Sequence, residues 1–458
     1  MGNRGFEKVT FSAPCVDLTF EGFGVTRNGK DVVFVPGMFP GDEGDVQIEY
    51  QRAGQLYGKL VRLSKKSPDR IDSRCPVCSI CGGCVFQKYA YDAELRYKTN
   101  KVKEQFRKVA HMDVDVLPCL GMEYPEFYRN KIQMPLGKDR KGNIYSGFYK
   151  AGTHVIVPIE RCYIEDQRAE KILLEAKRLM KSMRIDPYVE DERYGIVRHL
   201  LIRTSKHFPE IMVVLVTNVD SFPSRGNFVK ALVEACPEIT TVVQNVNSRQ
   251  TNVILGEKER VLYGKGYIRD TLCGVSFRIS AKSFFQVNPV QTEVLYQKAM
   301  EAAHLSKTDI VFDAYSGIGT IGLIAAKDCG KVISVEIVKE AVADGKRNAA
   351  QNGITNYEMY CDDASAFMNR MAKDKRPVDV LFMDPPRKGS DERFLNAAIK
   401  LAPKHIVYIS CDPSTLARDV AYLSKSYNVD SVQPVDMFPR SFHVETVVRL
   451  TLRNPGLN

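Results

Sequence analysis

From about Cys273 onward, apolar strand patterns alternate with helical ones, and several of those strands stop on turns that carry reactive side chains. That alternation predicts an α/β chain with a doubly wound, Rossmann-like sheet in its C-terminal part. Ahead of it lie a run of short strands separated by glycine-rich turns and a segment with four closely spaced cysteines. A length of 458 residues exceeds the usual span of one domain, so three units are expected, at 1–66, 67–270 and 271–458.

In the first unit, Val16–Arg27, Asp31–Phe34, Gly44–Glu49 and Gln55–Leu63 read as strands, and their spacing suggests a small barrel. In the second, Cys75, Cys78, Cys81 and Cys84 recur every third residue, and Gly82-Gly83 would permit a tight backbone around a metal centre. Zinc can be held by four cysteines, usually as two separated pairs. A bacterial ferredoxin run has a longer last gap followed by proline, whereas here the gap is two and Val85 follows, which argues against electron transfer. Ala93–Ala110 places Leu95, Val102, Phe106 and Val109 at helical spacing with Arg96, Lys98, Lys101, Lys103 and Lys108 elsewhere, the pattern of a surface helix with one packed stripe. Residues from about 112 to 270 mix strands and helices, including the apolar run Ile211–Thr217.

In the third unit, the strand Asp309–Ala314 runs into Tyr315-Ser316-Gly317-Ile318-Gly319-Thr320-Ile321-Gly322, a loop in which glycines let the backbone approach a ligand. The next strand, Lys331–Val335, stops at Glu336, where an acidic residue would take ribose hydroxyls. A third strand, Val378–Met383, delivers Asp384-Pro385-Pro386, whose prolines aim Asp384 by fixing the backbone. A fourth, His405–Ser410, is followed by Cys411 and then by a helix from Pro413 to about Ser426. Cys411 is therefore expected at a strand's carboxyl end beside a helix N-terminus, which lowers a thiol's pKa. Glu445 precedes an alternating strand, Thr446–Leu452, and its apolar neighbours are expected to raise its pKa into the range useful for proton transfer.

In this order, Ser283 to Pro289, Asp313 to Gly319, Asp384 to Gly389, Ser410 to Asp419 and Phe438 to Glu445 resemble the RNA uracil-5-methyltransferase family, in particular its 23S ribosomal RNA branch. The resemblance implies a class I methyltransferase domain with Cys411 as nucleophile and Glu445 as base. It implies that Gln286, Tyr315, Glu336 and Asp384 contact S-adenosylmethionine, and that Cys75, Cys81, Cys84 and Cys162 hold a [4Fe-4S] cluster, leaving Cys78 surplus. Ser316 stands where relatives often have cysteine. Val35 to Asp42 resembles the signature of TRAM domains, barrels of the oligonucleotide/oligosaccharide-binding type that hold RNA.

A formal charge of +10, from 65 basic and 55 acidic residues, suits a polyanionic partner. Without tryptophan, base stacking must use Phe, Tyr or Arg, and Phe284, Phe285 and Phe442 are candidates. Lys88, Tyr89, Tyr91, Tyr128, Arg129 and Lys131 are further candidates for RNA contact. Twelve cysteines without a secretory segment suggest reduced thiols and a cytoplasmic monomer, with RNA as partner and neither a membrane nor an obligate protein partner. Two other readings stay open. A transfer-RNA uridine would use the same catalytic motifs, and an iron-sulfur nicotinamide oxidoreductase would use the glycine loop and the cysteines but leaves Ser410 to Asp419 and Glu445 without a role. An RNA-binding protein without catalysis would need neither Cys411 nor Glu445.

Overall fold

The computed structural model describes residues 9–150, 153–250 and 253–453. The chain opens with β1 (Thr10–Pro14), β2 (Asp17–Leu18), β3 (Gly24–Asn28), β4 (Asp31–Val35), β5 (Glu43–Arg52) and β6 (Gln55–Lys65), hydrogen-bonded in the order β1-β5-β6-β4-β3-β2. Alternation along β4 and β5 turns Val33, Val35, Val46 and Ile48 onto Cys15 and Met38 in a small core. The single strand expected from Val16 to Arg27 is two strands, because the chain turns at Gly22 with φ +79°. A side chain at Gly22 would strike the Phe86 ring. The Val35 to Asp42 stretch folds around its own last residue. Buried Asp42 accepts from the Phe39 and Ser67 amides and pairs with Arg70, whose guanidinium lies over Phe39. Phe39 in turn stacks on Tyr89 at 4.6 Å, joining this module to the segment after the cysteines.

Helix α1 (Tyr91–Gln105) continues through one π turn to Ala110. Val102 and Phe106 are buried as the spacing requires, but Lys98 and Lys101, expected on the solvent side, are buried too. Beyond it, Leu117 and Leu120 donate to the carbonyls of Val432 and Pro434, so this stretch is tied to the C-terminal sheet.

The middle sheet comprises β7 (Lys131–Lys138), β8 (Ile144–Tyr149), β9 (Ile156–Pro158), β10 (Val197–Thr204), β11 (Ile211–Thr217), β12 (Ile239–Val246) and β13 (Lys258–Gly264), in the order β13-β12-β11-β10-β7-β8-β9. Helices α2 (Arg168–Ser182) and α3 (Arg225–Ala235) cover one face, packing on Leu200, Ile202, Val213 and Leu215. The other face, Leu201, Met212, Val214 and Val216, merges with the C-terminal core. Burial on both sides is why Ile211–Thr217 reads as an unbroken apolar run.

A hairpin, β14 (Tyr267–Leu272) and β15 (Val275–Ser280), leads through α4 (Pro289–Ala303) into the last sheet. There β16 (Ile310–Ala314), α5 (Thr320–Ala325), β17 (Lys331–Glu336), α6 (Lys339–Gln351), β18 (Tyr357–Cys361), α7 (Ala364–Lys373), β19 (Val380–Met383), α8 (Glu392–Leu401), β20 (His405–Ser410) and α9 (Pro413–Leu423) alternate, before β21 (Tyr427–Val435) and β22 (Glu445–Leu452) close as a hairpin. The order is β18-β17-β16-β19-β20-β22-β21, with β22 antiparallel to its neighbours and the five strands β16 to β20 parallel. Among the described residues, no helix is long and apolar enough to cross a membrane.

Candidate active site

Reactive side chains from four parallel strands meet at one edge of the last sheet. Tyr315 follows β16, Glu336 ends β17, Asp384 follows β19 and Cys411 follows β20, all at carboxyl ends, where open α/β sheets hold ligands. Glu445 arrives from the opposite direction as the first residue of antiparallel β22. Ser410 pairs with Thr446 at the end of the β20–β22 register, so Cys411 and Glu445 are the next residues out on the two chains, and Glu445 lies near enough for its charge to act on the thiol. Opposed residues on antiparallel strands present their side chains on the same face.

The surroundings of Cys411 depart from the sequence expectation in one respect. Asp412 caps α9 with its own carboxylate, accepting from the Ser414 and Thr415 amides. The helix N-terminus is thus satisfied by a negative group one residue from the thiol. Burial, followed by Glu445 and Asp384, pushes Cys411 up to about 12, against the lowering expected, with only Arg387 prominent in opposition. Glu445 meets the expectation. It is 5% exposed, and burial, reinforced by Asp384, raises it to about 8. Burial also lifts Asp384 to about 7.

The glycine loop is held from behind by Asp313, whose Oδ2 accepts from the Ser334 hydroxyl and the Gly322 amide while its buried Oδ1 has no partner. Gly317 and Gly319 are left-handed at φ +56° and +81°, and a Cβ on Gly319 would lie 2.3 Å from the Tyr357 hydroxyl. Tyr315 adopts φ +61° in spite of its side chain, and its ring leans on Phe394. Such a backbone costs about 1–2 kcal/mol and is retained where the surroundings over-determine it. Glu336 accepts from the Gly317 and Val338 amides and so ties two loops together. Gln286 lies just before α4 and interacts with Tyr296, a buried residue that also reaches Thr320 and feels Asp384 and Glu445.

Three contributors went unnoticed in the sequence: Tyr296, Arg387 and Asp419. Fully buried Asp419 accepts from the Tyr408 hydroxyl and the Ser390 amide, pinning the Asp384 to Ser390 loop against α9. Tyr296 sits at an apolar-type helix position and left no readable signal, whereas Arg387 and Asp419 lie inside the Asp384 to Gly389 and Ser410 to Asp419 motifs.

Of the stacking candidates, Phe284 is 72% exposed, whereas Phe285 is buried against Phe277 and Phe442 is half-buried against His443 and Lys101. Tyr89 and Tyr128 are buried as well, so neither presents a face to RNA. The hydroxyl of Tyr128 donates to the Pro439 carbonyl.

Five of the seven cysteines of the second unit, Cys75, Cys78, Cys81, Cys84 and Cys162, line one cavity of about 280 Å³ together with Tyr128, Arg129, Phe438 and His443, while Cys119 and Cys236 are buried elsewhere. Gly82 and Gly83 form a turn between Cys81 and Cys84, and do so without left-handed backbone. Among the described residues, no three His, Cys, Asp or Glu side chains converge as a metal-binding group. Burial, with neighbouring thiols adding to it, pushes Cys84 up to about 12 and Cys162 higher still, the latter also under the influence of Glu165.

The fold and site have clear relatives. An "uncharacterized RNA methyltransferase" of Oceanobacillus iheyensis is 43% identical over 440 residues, covering 95% of each chain. One of Halalkalibacterium halodurans is 41% identical over 440 residues, covering 96% of each. The crystal structure of Pyrococcus abyssi tRNA (uracil-54, C5)-methyltransferase with S-adenosyl-L-homocysteine superposes with a TM-score of 0.76 at 26% identity, over 96% of this chain and 99% of that one. Residues 90–453, from the start of α1 to the end of the last sheet, match the family described as tRNA (Uracil-5-)-methyltransferase, and the chain belongs to that family of RNA-methylating enzymes.

Proposed function

We propose that this chain methylates carbon 5 of a uridine in RNA through a covalent adduct. The observation that carries the reading is that the β20–β22 register brings Cys411 and Glu445 together just beyond its last pair, Ser410 with Thr446, at the carboxyl edge of the sheet. Carbon 5 of uracil is a poor nucleophile until a thiolate adds to carbon 6. Cys411 loses its proton to solvent, its sulfur bonds to carbon 6, and the electron pair of the 5,6 double bond becomes available at carbon 5. S-adenosylmethionine, when bound, supplies an electrophilic methyl group for that carbon. Glu445 then removes the hydrogen remaining on carbon 5, the double bond re-forms, and the Cys411 thiolate is expelled. A carboxylate lifted to about 8 is a stronger base than an ordinary glutamate, which suits this step, and among the groups acting on Cys411 it is Arg387 that favours the thiolate.

Tyr315, Glu336, Asp384 and Gln286 are the residues we assign to S-adenosylmethionine. The side-chain-free approach at Gly317 and Gly319 and the unpartnered Asp313 Oδ1 behind it suit a ligand held by backbone groups. Cys75, Cys81, Cys84 and Cys162 are assigned to a [4Fe-4S] cluster. The soft donors around one cavity fit such a group, which when bound supplies cross-links to a loop-rich segment. Residues 1–66 are assigned to a TRAM-like barrel holding RNA, 67–270 to the cysteine-bearing central domain and 271–458 to methyl transfer.

We assign 23S ribosomal RNA as the substrate, on the TRAM-like signature and the cysteines. Likeness to the Pyrococcus enzyme favours transfer RNA as the second reading. Methyl transfer from labelled S-adenosylmethionine to protein-free ribosomal RNA and to transfer RNA, followed by nucleoside analysis, tests both. Label in 5-methyluridine from ribosomal RNA is expected. Label confined to transfer RNA moves the address, and label in another nucleoside overturns the reaction.

A further inference from the structure

The segment that delivers Glu445 is gripped by charges from α1. Lys98, Glu94 and Asp436 have fully buried side chains, and Lys98 Nζ lies 2.7 Å from Glu94 Oε1 and 2.6 Å from Asp436 Oδ1. Its remaining donor reaches the Phe438 carbonyl at 3.3 Å, which uses all its N–H groups. Glu94 Oε1 also accepts the Arg440 amide, and the Arg440 guanidinium lies 3.8 Å from Glu94 Oε2. The Arg440 carbonyl accepts in turn from the amides of Val85 and Phe86, the residues after Cys84. Arg440 has φ +70°, a conformation unfavourable for a side-chain-bearing residue and here fixed from both sides.

This grip is close to the chemistry. Val435 is the cross-strand partner of Glu445, and Asp436 is the next residue. The 436–444 connection is therefore the loop of the β21–β22 hairpin, and moving Asp436 moves the strand that Glu445 pairs with. Burying several charges is a poor way to gain stability alone, since apolar replacements of such pairs are often neutral or better. What ions add is a directional, short-range definition of position.

We propose that Lys98 is a positioning residue which, by bridging Glu94 and Asp436, sets the register from which Glu445 removes the carbon 5 proton. The inference rests on Glu445 being the base. In Lys98→Met, the hairpin loop loses its bridge while Cys411, between β20 and α9, stays on elements that Tyr408 and Asp419 tie together.

The experiment compares wild type, Lys98→Met, Lys98→Arg and Glu445→Gln on ordinary uridine-containing RNA with labelled S-adenosylmethionine, quenched and resolved on denaturing gels. Initial trapping by fluorouridine-containing RNA, from which the base cannot take a proton, is measured alongside, and folded fraction is read from thermal melts. Lys98→Met is expected to raise the steady-state ratio of methylated adduct to released product about tenfold, as misplacement by less than an ångström can do. Its trapping rate per folded molecule should stay within about twofold of wild type, and Lys98→Arg should restore part of the ratio. Trapping and release falling in the same proportion would show a purely structural role and overturn the proposal. If Lys98→Met does not fold, Glu94→Gln, which still offers an oxygen to the Arg440 amide, replaces it with the same criteria. A Glu445→Gln protein without accumulated adduct removes the base assignment and this inference together, whereas accumulation there but not in the α1 variants removes this inference alone.

Discussion

Two pairs of carboxylates act on the same stretch of chain and meet different countercharges. At its start, Asp436 and Glu94 share Lys98, with Arg440 close by, so their charges are opposed at short range. Burial pulls Lys98 toward neutrality, but the two carboxylates outweigh it and hold the ammonium up. At its end, Glu445 and Asp384 have no lysine between them. Arg387, exposed, is the countercharge that registers on Glu445, and Glu445 rises to about 8. Burial lifts Glu94 as well, to about 7, but against Lys98 and Arg440, whereas Glu445 rises further with Arg387 as its countercharge, so the two ends differ in how closely the buried charge is held.

The largest expected effects test the unmatched end. Cys411→Ala should abolish adduct formation and lower methylation by at least about 10⁴-fold, since loss of a covalent nucleophile removes the pathway itself. Glu445→Gln should lower turnover by about 10²–10⁴-fold while retaining methyl transfer, so that methylated RNA stays bound to protein through denaturation. An adduct of undiminished yield in Cys411→Ala would remove it as nucleophile.

The next effect tests the matched end. Lys98→Met strands two buried carboxylates and should destabilise the fold by about 3–5 kcal/mol at pH 8. A carboxylate whose pKa is raised on folding binds more protons folded than unfolded, so the stability it costs is recovered as pH falls. Urea titrations should therefore show the gap between variant and wild type narrowing from pH 8 to pH 5.5. A constant gap would mean that Glu94 and Asp436 are neutralised by other groups.

A smaller effect reads the coupling between Glu445 and Cys411. Glu445 must be ionised to act, so the single-turnover rate of adduct resolution should climb with pH and level off above about 8. Removing that charge should ease ionisation of the neighbouring thiol, so Glu445→Gln should be alkylated at Cys411 about two- to tenfold faster than wild type at pH 8 without RNA. Equal rates would show that the two groups do not sense each other.

Four of the five parallel strands of the last sheet were legible because each is a short apolar run ending on a motif, whereas the largely exposed edge strand β18 was not read, and local pattern is enough to place Asp384, Cys411 and Glu445 near strand ends. Ile211–Thr217 was legible for the same reason. The N-terminal strands were less so: Val16 to Arg27 has one continuous strand-like composition, and what divides it is Gly22 meeting Phe86 from another segment. Helix α1 shows the same limit. Its period marked Val102 and Phe106 correctly, but nothing in that period reveals that Lys98 faces Asp436, 338 positions away.

What the sequence determined by itself is the set of parts: a sheet whose strands end on Tyr315, Glu336, Asp384 and Cys411, a glutamate leading the final strand, and cysteines at a repeat suited to a metal centre. What only the tertiary structure decided is their charge state and their coupling. The thiol is raised by burial first and then by Glu445 and Asp384, while Asp412 takes up the helix N-terminus beside it. The cysteine cavity is walled by Phe438 and His443 of the hairpin loop that leads to Glu445. Backbone pattern depends on near neighbours along the chain, whereas desolvation and ion pairing depend on which distant segments exclude water together, and that is fixed only when the chain has closed.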